Sequence, residues 1–502
     1  MIRKLNTTNI LSLMISALLA LGCTDLEPSI TDSVVIETGD GGFQGDPEEL
    51  LNSVYRGLED FTAQNNIYSL TEHTTDELIG PTRGTDWGDN GVWRQLHNHQ
   101  WSPDHQFMLD AWNALHSNVF LANQALASNP DAAQAAQARF LRAFNMFYLV
   151  DFFGQVPFRE VNEGSEIDPG VLTRVEALNF VITDLEEAIP GLADGGPGTD
   201  TGIANKAAAQ ALLAKVYLNR AVYSVEVTAE GPGAFSFNTE DMDRVIGLVD
   251  EITAAGYALE PEYFGNFDSN GSNEIIFATQ TDVGSSETRW RMTIHYNQFN
   301  PEVEGGGWNG FATLADFYGL FEEDDIRRGG TAESGIGFGF LEGQQFGVDG
   351  EVLQDRGGNP LVFTPEVGLA GNNERAGIRV LKYHPSDFLN LVLLRYADAY
   401  LMKIEAILRG GTPTGGETAQ SMLDNLRNVR GVESIPATLD EILNERGREL
   451  YWEGWRRNDQ VRFGTFDDPW EGKTNSDAFR LLYPIPQIAL DSNPNLEQNP
   501  GY

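Results

Sequence analysis

Three helix-forming segments follow one another closely in the last quarter of the chain, and this pattern limits the fold more than any other feature. Apolar residues recur at spacings of four, three and four in residues 393–411, which a pair of glycines then ends. After a short link, residues 418–431 repeat the rhythm, and residues 439–457 form the third segment. Amphipathic helices joined by short links pack as antiparallel helical hairpins. The pattern predicts stacked helix pairs of tetratricopeptide type, without the strict repeat of about 34 residues.

Two segments in the first half of the chain have the same helical character. Residues 131–158 place several aromatic side chains on one helix face, and residues 202–221 are rich in alanine. Small side chains let other helices approach closely, so the alanine-rich helix is expected to pack on several sides. The stretch between the helical blocks is irregular, with glycine runs and short β-like patches. We therefore predict a mainly α chain. Its folded part is expected to divide into a helical part at residues 46–225, a loop-rich ligand-facing part at residues 226–385 and a second helical part at residues 386–502.

The first residues of the chain are typical of an export signal, and they end at Cys23, the only cysteine. A basic N-terminus precedes an apolar run from Ile10 to Leu21, which is shorter than the roughly 20 residues that span a bilayer. Residues 1–22 are predicted to be a lipoprotein signal peptide that is cut before Cys23, and residues 23–45 a lipidated N-terminus and tether. The alternative is an ordinary secretory signal with a chance cysteine.

The charge of the chain excludes one class of partner. Its 74 acidic residues against 33 basic ones give a formal net charge of −41, a field that repels nucleic acid and anionic membrane surfaces. The acids are scattered, and 41% of the residues are hydrophobic, so a folded core under a solvated acidic surface is expected.

Signatures of catalysis and of metal binding are weak. The sequence has no nucleophile elbow, zinc-protease motif or phosphate-binding loop, and carboxylate pairs of glycosidase type arise by chance among so many acids. Five of the seven histidines lie between His73 and His116, but their spacing does not require a metal. Residues 268–274 begin like a calcium loop and lack its later glycine and glutamate. We predict no catalytic residue, no metal site and no cofactor, with calcium as a weakly supported alternative.

A cluster of tryptophans is the most informative local feature. Trp87, Trp93, Trp101 and Trp112 place four of the nine tryptophans within 26 residues, and nearby glycines make part of this segment a loop. Aromatic faces in loops, beside Asp, Asn and Arg, are a common means of binding sugars. The structural alternative is that these rings fasten a long loop to the core.

Several segments together resemble the SusD/RagB family in sequence and in order. The ending YPIPQ…NPNLEQNPGY is the most specific of them. The matching segments, which span essentially the whole chain after residue 45, are residues 138–158, 205–218, 393–408, 444–464 and 481–502.

This resemblance implies a SusD-like fold and a nutrient-binding role. Such a protein is a surface-exposed, lipid-anchored lipoprotein of the cell outer membrane that captures oligosaccharide or polysaccharide. It partners a SusC-like TonB-dependent transporter, without catalysis and without binding nucleic acid. The alternatives are a peptide-binding lid of the RagB type, a secreted glycoside hydrolase, and a helical scaffold that holds other surface proteins.

The resemblance also implies where the ligand binds. In starch-binding members an aromatic arc with Asp, Arg and Asn holds the glucan, and the matching residue types fall in the tryptophan-rich loop and in the central loops. The candidates are Asp76, Arg83, Trp87, Asn90 and Trp93 on one side and Trp290, Tyr296 and Trp308 on the other. By contrast, Glu453 with Arg456 and Arg457, and Glu445 with Arg448, are interpreted as helix-stabilising pairs.

Overall fold

The helix pairs predicted from the sequence are present in the computed structural model. It describes residues 35–37, 43–159, 163, 167–268, 272–280, 287–299, 306–332, 335–385 and 390–502. The predicted signal peptide, Cys23 and most of the tether lie outside the described residues. No helix within the described ranges combines the length and the apolar character needed to cross a bilayer.

The described residues form fifteen α-helices and thirteen short strands. The helices are α1 (Pro47–Arg56), α2 (Ile67–Glu72), α3 (Val92–His97), α4 (Gln106–Ala127), α5 (Ala132–Phe152), α6 (Arg174–Ala188), α7 (Lys206–Tyr223), α8 (Thr239–Ala254), α9 (Glu287–Arg291), α10 (Ala315–Tyr318), α11 (Tyr396–Leu408), α12 (Ala419–Val429), α13 (Leu439–Leu450), α14 (Arg456–Phe463) and α15 (Gln487–Ser492). The strands are β1 (Val35–Glu37), β2 (Phe43–Gly45), β3 (Val156–Phe158), β4 (Gly170–Leu172), β5 (Val227–Thr228), β6 (Gly231–Pro232), β7 (Ile275–Ala278), β8 (Gly329–Gly330), β9 (Phe338–Leu341), β10 (Gly343–Gln344), β11 (Val362–Phe363), β12 (Arg379–Leu381) and β13 (Val392–Arg395).

Helices α4 to α8 build the first part of the helical framework, each in contact with the next. Asp131 starts α5 with a capping box, in which its side chain and that of Gln134 each accept a main-chain hydrogen bond. The alanine-rich α7 contacts α5, α6, α8 and α11, which confirms that it packs on several sides. Its alanines are almost all buried because the neighbouring helices approach closely.

The C-terminal helices continue the stack. Helix α11 packs against α12, α13 and α8, so the predicted hairpin of residues 393–431 is confirmed. The third segment is not one helix, because α13 ends at Leu450 and α14 begins only at Arg456. Trp452 and Gly454, in between, have φ values of 58° and 86°, in the left-handed region that ends a helix.

That break corrects one predicted set of ion pairs. Glu453 lies in the turn and pairs with Lys382 at 2.5 Å and with Arg395 at 2.7 Å, not with the arginines that follow it. Those arginines bind elsewhere: Arg456 pairs with Asp76 and Arg457 with Asp151. The predicted pair of Glu445 with Arg448 is confirmed at 2.7 Å.

A buried ionic network joins the C-terminal helices to the central region. Glu449 of α13 accepts hydrogen bonds from Arg395 at 2.9 Å, Arg430 at 2.7 Å and Arg327 at 3.1 Å, all fully buried. Burial alone would raise the pKa of Glu449, but the guanidinium groups hold it well below its usual range. Because removing any partner would leave a buried charge uncompensated, the network fixes the central region on the helices.

The central region consists of short antiparallel strands and loops, but the predicted boundary at residue 226 is too early, because α8 (Thr239–Ala254) packs with the helical framework. Strand β9 lies between β12 and β8, β7 pairs with β13, and β10 pairs with β11. This region has its own small hydrophobic core, separate from that of the helices, which includes Trp290, Leu341 and Phe363. Its position on the helical framework brings its loops to the tryptophan-rich segment, where Ile79 and Ala312 exchange main-chain hydrogen bonds.

Candidate functional site

The tryptophan-rich loop has a constrained backbone. Trp87, Asp89 and Asn90 have φ values of 59°, 33° and 52°, all in the left-handed region that residues other than glycine rarely adopt. Each such residue costs about 1–3 kcal/mol and persists only where its surroundings enforce it. The surroundings of Trp87 show how this loop is held.

Trp87 is fixed against the central loops. Its indole Nε1 donates to the carbonyl oxygen of Trp308 at 3.1 Å, and its ring lies 4.8 Å from that of Phe311. The ring also lies directly over Gly310, since a Cβ at that position would be 2.5 Å from Cζ2 of Trp87. Both Trp87 and Trp308 remain half-buried, with part of each side chain accessible.

Tyr296 completes an aromatic patch at the same place. Its hydroxyl donates to Oδ2 of Asp86 at 3.1 Å, next to Trp87 in the loop, and its ring is half-buried. We call Trp87, Tyr296 and Trp308 the aromatic patch. The structure therefore brings together three of the predicted residues from both sides of the expected arc, with the exposed Asn90 in the same loop as Trp87.

Arg356 lies at this patch and was not found from the sequence. Its guanidinium carbon is 4.6 Å from the centre of the Tyr296 ring, and its Nη2 donates to Oδ2 of Asp86 at 3.2 Å. Its Nε donates to Glu374, while 58% of the side chain stays exposed. No local motif marks Arg356, because its role depends on contacts with segments that are distant in sequence.

The carboxylate of Glu374 stays charged at neutral pH. Burial would raise its pKa, but hydrogen bonds from the main chain and side chain of Arg356 hold it below its usual value. His295 also contacts Glu374, at 3.2 Å, and burial lowers the pKa of this histidine to about 4. His295 is thus neutral at pH 7, and Arg356 carries the charge that Glu374 meets.

Arg83 does not reach the surface, contrary to the role expected for it. The side chain is 3% exposed and donates to the carbonyl oxygens of Gly310 at 3.1 Å, Asn373 at 3.0 Å and Ala376 at 2.6 Å. Burial lowers the pKa of Arg83 to about 9, so the group remains protonated at neutral pH. Arg83 joins three loops beneath the patch, and this packing is the reason that it is unavailable to a ligand.

Three other candidate ligand-binding residues, Asp76, Trp93 and Trp290, are engaged in contacts within the protein. Both oxygens of Asp76 accept from Arg456 at 2.7 Å. Trp93 is 4% exposed, packs on Phe311, and donates from Nε1 to Asp89 at 2.7 Å. Trp290 is fully buried and belongs to the core of the central region. Neither Trp93 nor Trp290 offers a ring face to a ligand.

The histidines and the calcium-like segment have other contacts. His99, for example, is buried and contacts the Thr74 carbonyl oxygen and the Ser476 hydroxyl at 2.9 Å each. Within the described residues, no group of three or more His, Cys, Asp or Glu side chains is arranged to hold a metal ion. Residues 269–271 of the calcium-like segment lie outside the described residues, and Glu274 pairs with Arg395.

The patch has the chemistry of a site that binds by stacking and hydrogen bonding. Half-buried indole and phenol rings provide apolar faces, while Asp86, Asn90 and Arg356 supply exposed acceptors and donors around them. A ligand with flat apolar faces rimmed by hydroxyl groups matches this arrangement.

Comparison with known proteins identifies similar chains. A family model described as "SusD family" matches residues 389–502, and one described as "Starch-binding associating with outer membrane" matches residues 32–218. Starch-binding protein SusD of Bacteroides thetaiotaomicron is 25% identical over 93% of this chain and 90% of its own length. A SusD-like protein of Formosa agariphila is 25% identical over 98% of this chain and 99% of its own length.

Solved structures show the same fold. Surface glycan-binding protein A of Bacteroides thetaiotaomicron, solved with laminarihexaose, has a TM-score of 0.65 and 21% identity, and the match covers 91% of this chain and 99% of that one. The predicted fold, mainly α-helical with helical hairpins and a loop-rich part with short strands, is confirmed.

Proposed function

The chain belongs to the SusD-like family, and on that premise we propose that it binds oligosaccharides or polysaccharide without catalysis. It presents the bound glycan to a SusC-like TonB-dependent transporter. The observation that carries the proposal is the meeting of Trp87, Tyr296 and Trp308 with Asp86 and Arg356 at one accessible place. The printed descriptions of the relatives, starch-binding and glycan-binding, support the same ligand class.

The surface of a glycan is complementary to that of the patch. A sugar ring has one C–H face that packs on an aromatic ring, with a stacking contribution of about 1 kcal/mol. Its hydroxyl groups need partners that both donate and accept, which Asp86, Asn90 and Arg356 provide at the rim. Binding by each unit is weak, so a polymer that covers the patch with successive units binds more tightly than a single sugar.

Attachment to the outer membrane is the second part of the proposal. Cys23 carries the lipid, the protein lies on the cell surface, and its movement over the transporter delivers the glycan. The support comes from the signal-like N-terminus and from the family description that matches residues 32–218. A lipid-anchored lid retains the ligand near the channel because tethering raises its local concentration.

Affinity electrophoresis tests the ligand class directly. The purified full-length chain is run in native gels containing plant, algal or microbial polysaccharides, and at least one polymer is expected to slow it. Trp87→Ala and Tyr296→Ala are expected to abolish the retardation, whereas Phe120→Ala, a change at a partly exposed aromatic residue of α4, leaves it intact.

Other outcomes separate the alternative functions. Saturable binding of peptides with no binding of glycans would indicate a peptide-binding lid. Release of reducing sugars from a polysaccharide would indicate a hydrolase. Glycan retardation that is unchanged by both patch substitutions would remove the site assignment and favour a scaffold role for the helices.

A further inference from the structure

Two positively charged side chains lie buried beneath the aromatic patch without a carboxylate partner among the residues that the structure describes. The structure describes thirteen buried arginines, and ten of them pair with Asp or Glu within 4.0 Å. The three exceptions are Arg83, Arg289 and Arg379. Two of these three, Arg83 and Arg379, are at the patch.

Arg83 and Arg379 are close neighbours. Both donate to the carbonyl oxygen of Ala376, at 2.6 Å and 2.8 Å. Arg379 also donates to the amide oxygen of Asn309 at 2.7 Å and to the main-chain oxygen of Glu374 at 2.9 Å. All of these acceptors are uncharged groups, so the hydrogen bonds orient the guanidinium groups without neutralising them. Arginine remains protonated even when it is buried.

The carboxylates at the surface above them have other partners. Arg356 meets two carboxylates, Asp86 and Glu374, and His295 is neutral. These contacts join five charged side chains: the guanidinium groups of Arg83, Arg356 and Arg379, and the carboxylates of Asp86 and Glu374. Two further carboxylates of these loops are engaged by other groups, Asp89 by the indole Nε1 of Trp93 and Asp355 by Arg375. The low-dielectric interior screens the buried charges only weakly, so their field extends to the patch.

One of the surface ion pairs can be exchanged. The contact of Arg356 with Asp86 is 3.2 Å long, and the two side chains are 58% and 40% exposed. Exposed pairs of this kind contribute little free energy. Asp86 keeps a second partner, the hydroxyl of Tyr296 at 3.1 Å, when Arg356 turns to another anion.

From this arrangement we infer that the patch selects glycans that carry an anionic group, a uronate carboxylate or a sulfate ester, with Arg356 as the residue that contacts it. The inference rests on the proposed function and names the substrate class of that site. The anionic group replaces Asp86 as the partner of Arg356 while the sugar ring stacks on the aromatic patch. The uncompensated charges of Arg83 and Arg379 stabilise the bound anion from below.

Matched pairs of polymers test the inference. The full-length chain is titrated with neutral laminarin and with sulfated laminarin, and with hydroxyethyl cellulose and carboxymethyl cellulose. A second panel of alginate and carrageenan separates carboxylate from sulfate recognition. Tighter binding of a charged member, weakened as salt rises from about 0.05 M to about 0.5 M, is expected because salt screens exposed charges.

Substitutions then assign the effect to Arg356. Arg356→Gln is expected to weaken binding of the anionic polymer by about tenfold and that of a neutral polymer by less than about threefold. Arg356→Lys keeps the charge but loses the planar fork, and is expected to retain part of the preference. Arg244→Gln on the exposed face of α8 makes the same charge change elsewhere and leaves both affinities unchanged.

The outcomes distinguish this inference from the proposed function. Binding of neutral polymers with no preference for their charged counterparts overturns the inference and leaves glycan binding intact. Equal effects of Arg356→Gln and Arg244→Gln on the anionic polymer also overturn it. A chain that binds no polysaccharide of either kind contradicts both.

Discussion

The indole Nε1 of Trp87 donates to the main-chain oxygen of Trp308 at 3.1 Å, which joins two aromatic residues that lie 221 positions apart. This hydrogen bond is one of several that connect the tryptophan-rich loop of the helical part with the central loops. Both side chains are half-buried, and the ring of Trp87 packs directly over Gly310.

Gly310 is expected to be required for that contact. In Gly310→Ala the new methyl group would lie 2.5 Å from Cζ2 of Trp87 and 2.6 Å from the oxygen of Met292, so the indole must move. We expect at least a tenfold loss of glycan affinity, about 1.4 kcal/mol, with a folded protein. Titration and tryptophan fluorescence measure the two effects. Gly170→Ala, at an open position, is the control, and equal affinity in both variants would contradict the prediction.

Arg83 is expected to govern stability more than ligand contact. Arg83→Met leaves the carbonyl oxygens of Gly310, Asn373 and Ala376 without their donor, at a cost of about 2–5 kcal/mol in unfolding free energy. Urea unfolding measures this change. Arg356→Gln, at an exposed position, is expected to alter unfolding by less than about 1 kcal/mol. A fully stable Arg83→Met variant would show that the loops do not depend on this residue.

The buried pair Glu72 and Glu77 is expected to make stability fall as pH rises. Both are at most 1% exposed, and each accepts a main-chain hydrogen bond from the turn at Trp452 and Gly454. Burial raises the pKa of Glu72 to about 7 and that of Glu77 above its usual value. The folded state therefore holds a proton that the unfolded chain releases near pH 4.5.

The proton held by Glu72 and Glu77 sets the direction of the pH dependence. Stability from this pair is complete below about pH 4.5 and declines as pH rises through about 7. Glu77→Gln, which stays neutral, is expected to flatten this part of the profile. Unfolding measured from pH 5 to pH 9 in both proteins provides the comparison, and parallel profiles would exclude the shared proton.

Glu449 is expected to be the most sensitive member of the buried ionic network. Glu449→Gln leaves Arg395, Arg430 and Arg327 with less compensating charge, which costs about 3–5 kcal/mol. Glu417 pairs with Lys403, and the Glu417 side chain is 43% exposed. Glu417→Gln is therefore expected to lower the free energy of unfolding by less than about 1 kcal/mol. Chemical denaturation of the two variants gives the difference, and similar losses would contradict a buried network.

Cys23 is expected to carry the membrane anchor. Cells fed an alkyne-labelled fatty acid should label the chain, and Cys23→Ala should abolish the label and release the protein from the membrane fraction. Glycan binding by the released protein is expected to be unchanged, because the patch lies in the folded part. Labelling that persists in Cys23→Ala would place the lipid on another residue.

Sequence periodicity was sufficient for the helical framework because it is a local property. The spacings in residues 393–431 indicate a hairpin whichever residues surround it, and α11 and α12 form that hairpin. The break between α13 and α14 was missed because residues 439–457 continue an apolar rhythm. The main-chain N–H of Trp452 donates to the carboxylate of Glu77, a residue 375 positions away, and this contact lies outside the helix.

The family resemblance and the aromatic residue types at the patch could also be identified from the sequence. Which rings face outward was decided only by the tertiary structure. Trp87 and Trp290 are the same residue type, but Trp87 is half-buried over Gly310, whereas Trp290 lies in the core of the central region. Arg83, which was expected to contact the ligand, is buried, whereas Arg356, which the sequence did not single out, is exposed at the patch. Burial is set by contacts between segments hundreds of residues apart, and spacing along the chain does not record such contacts.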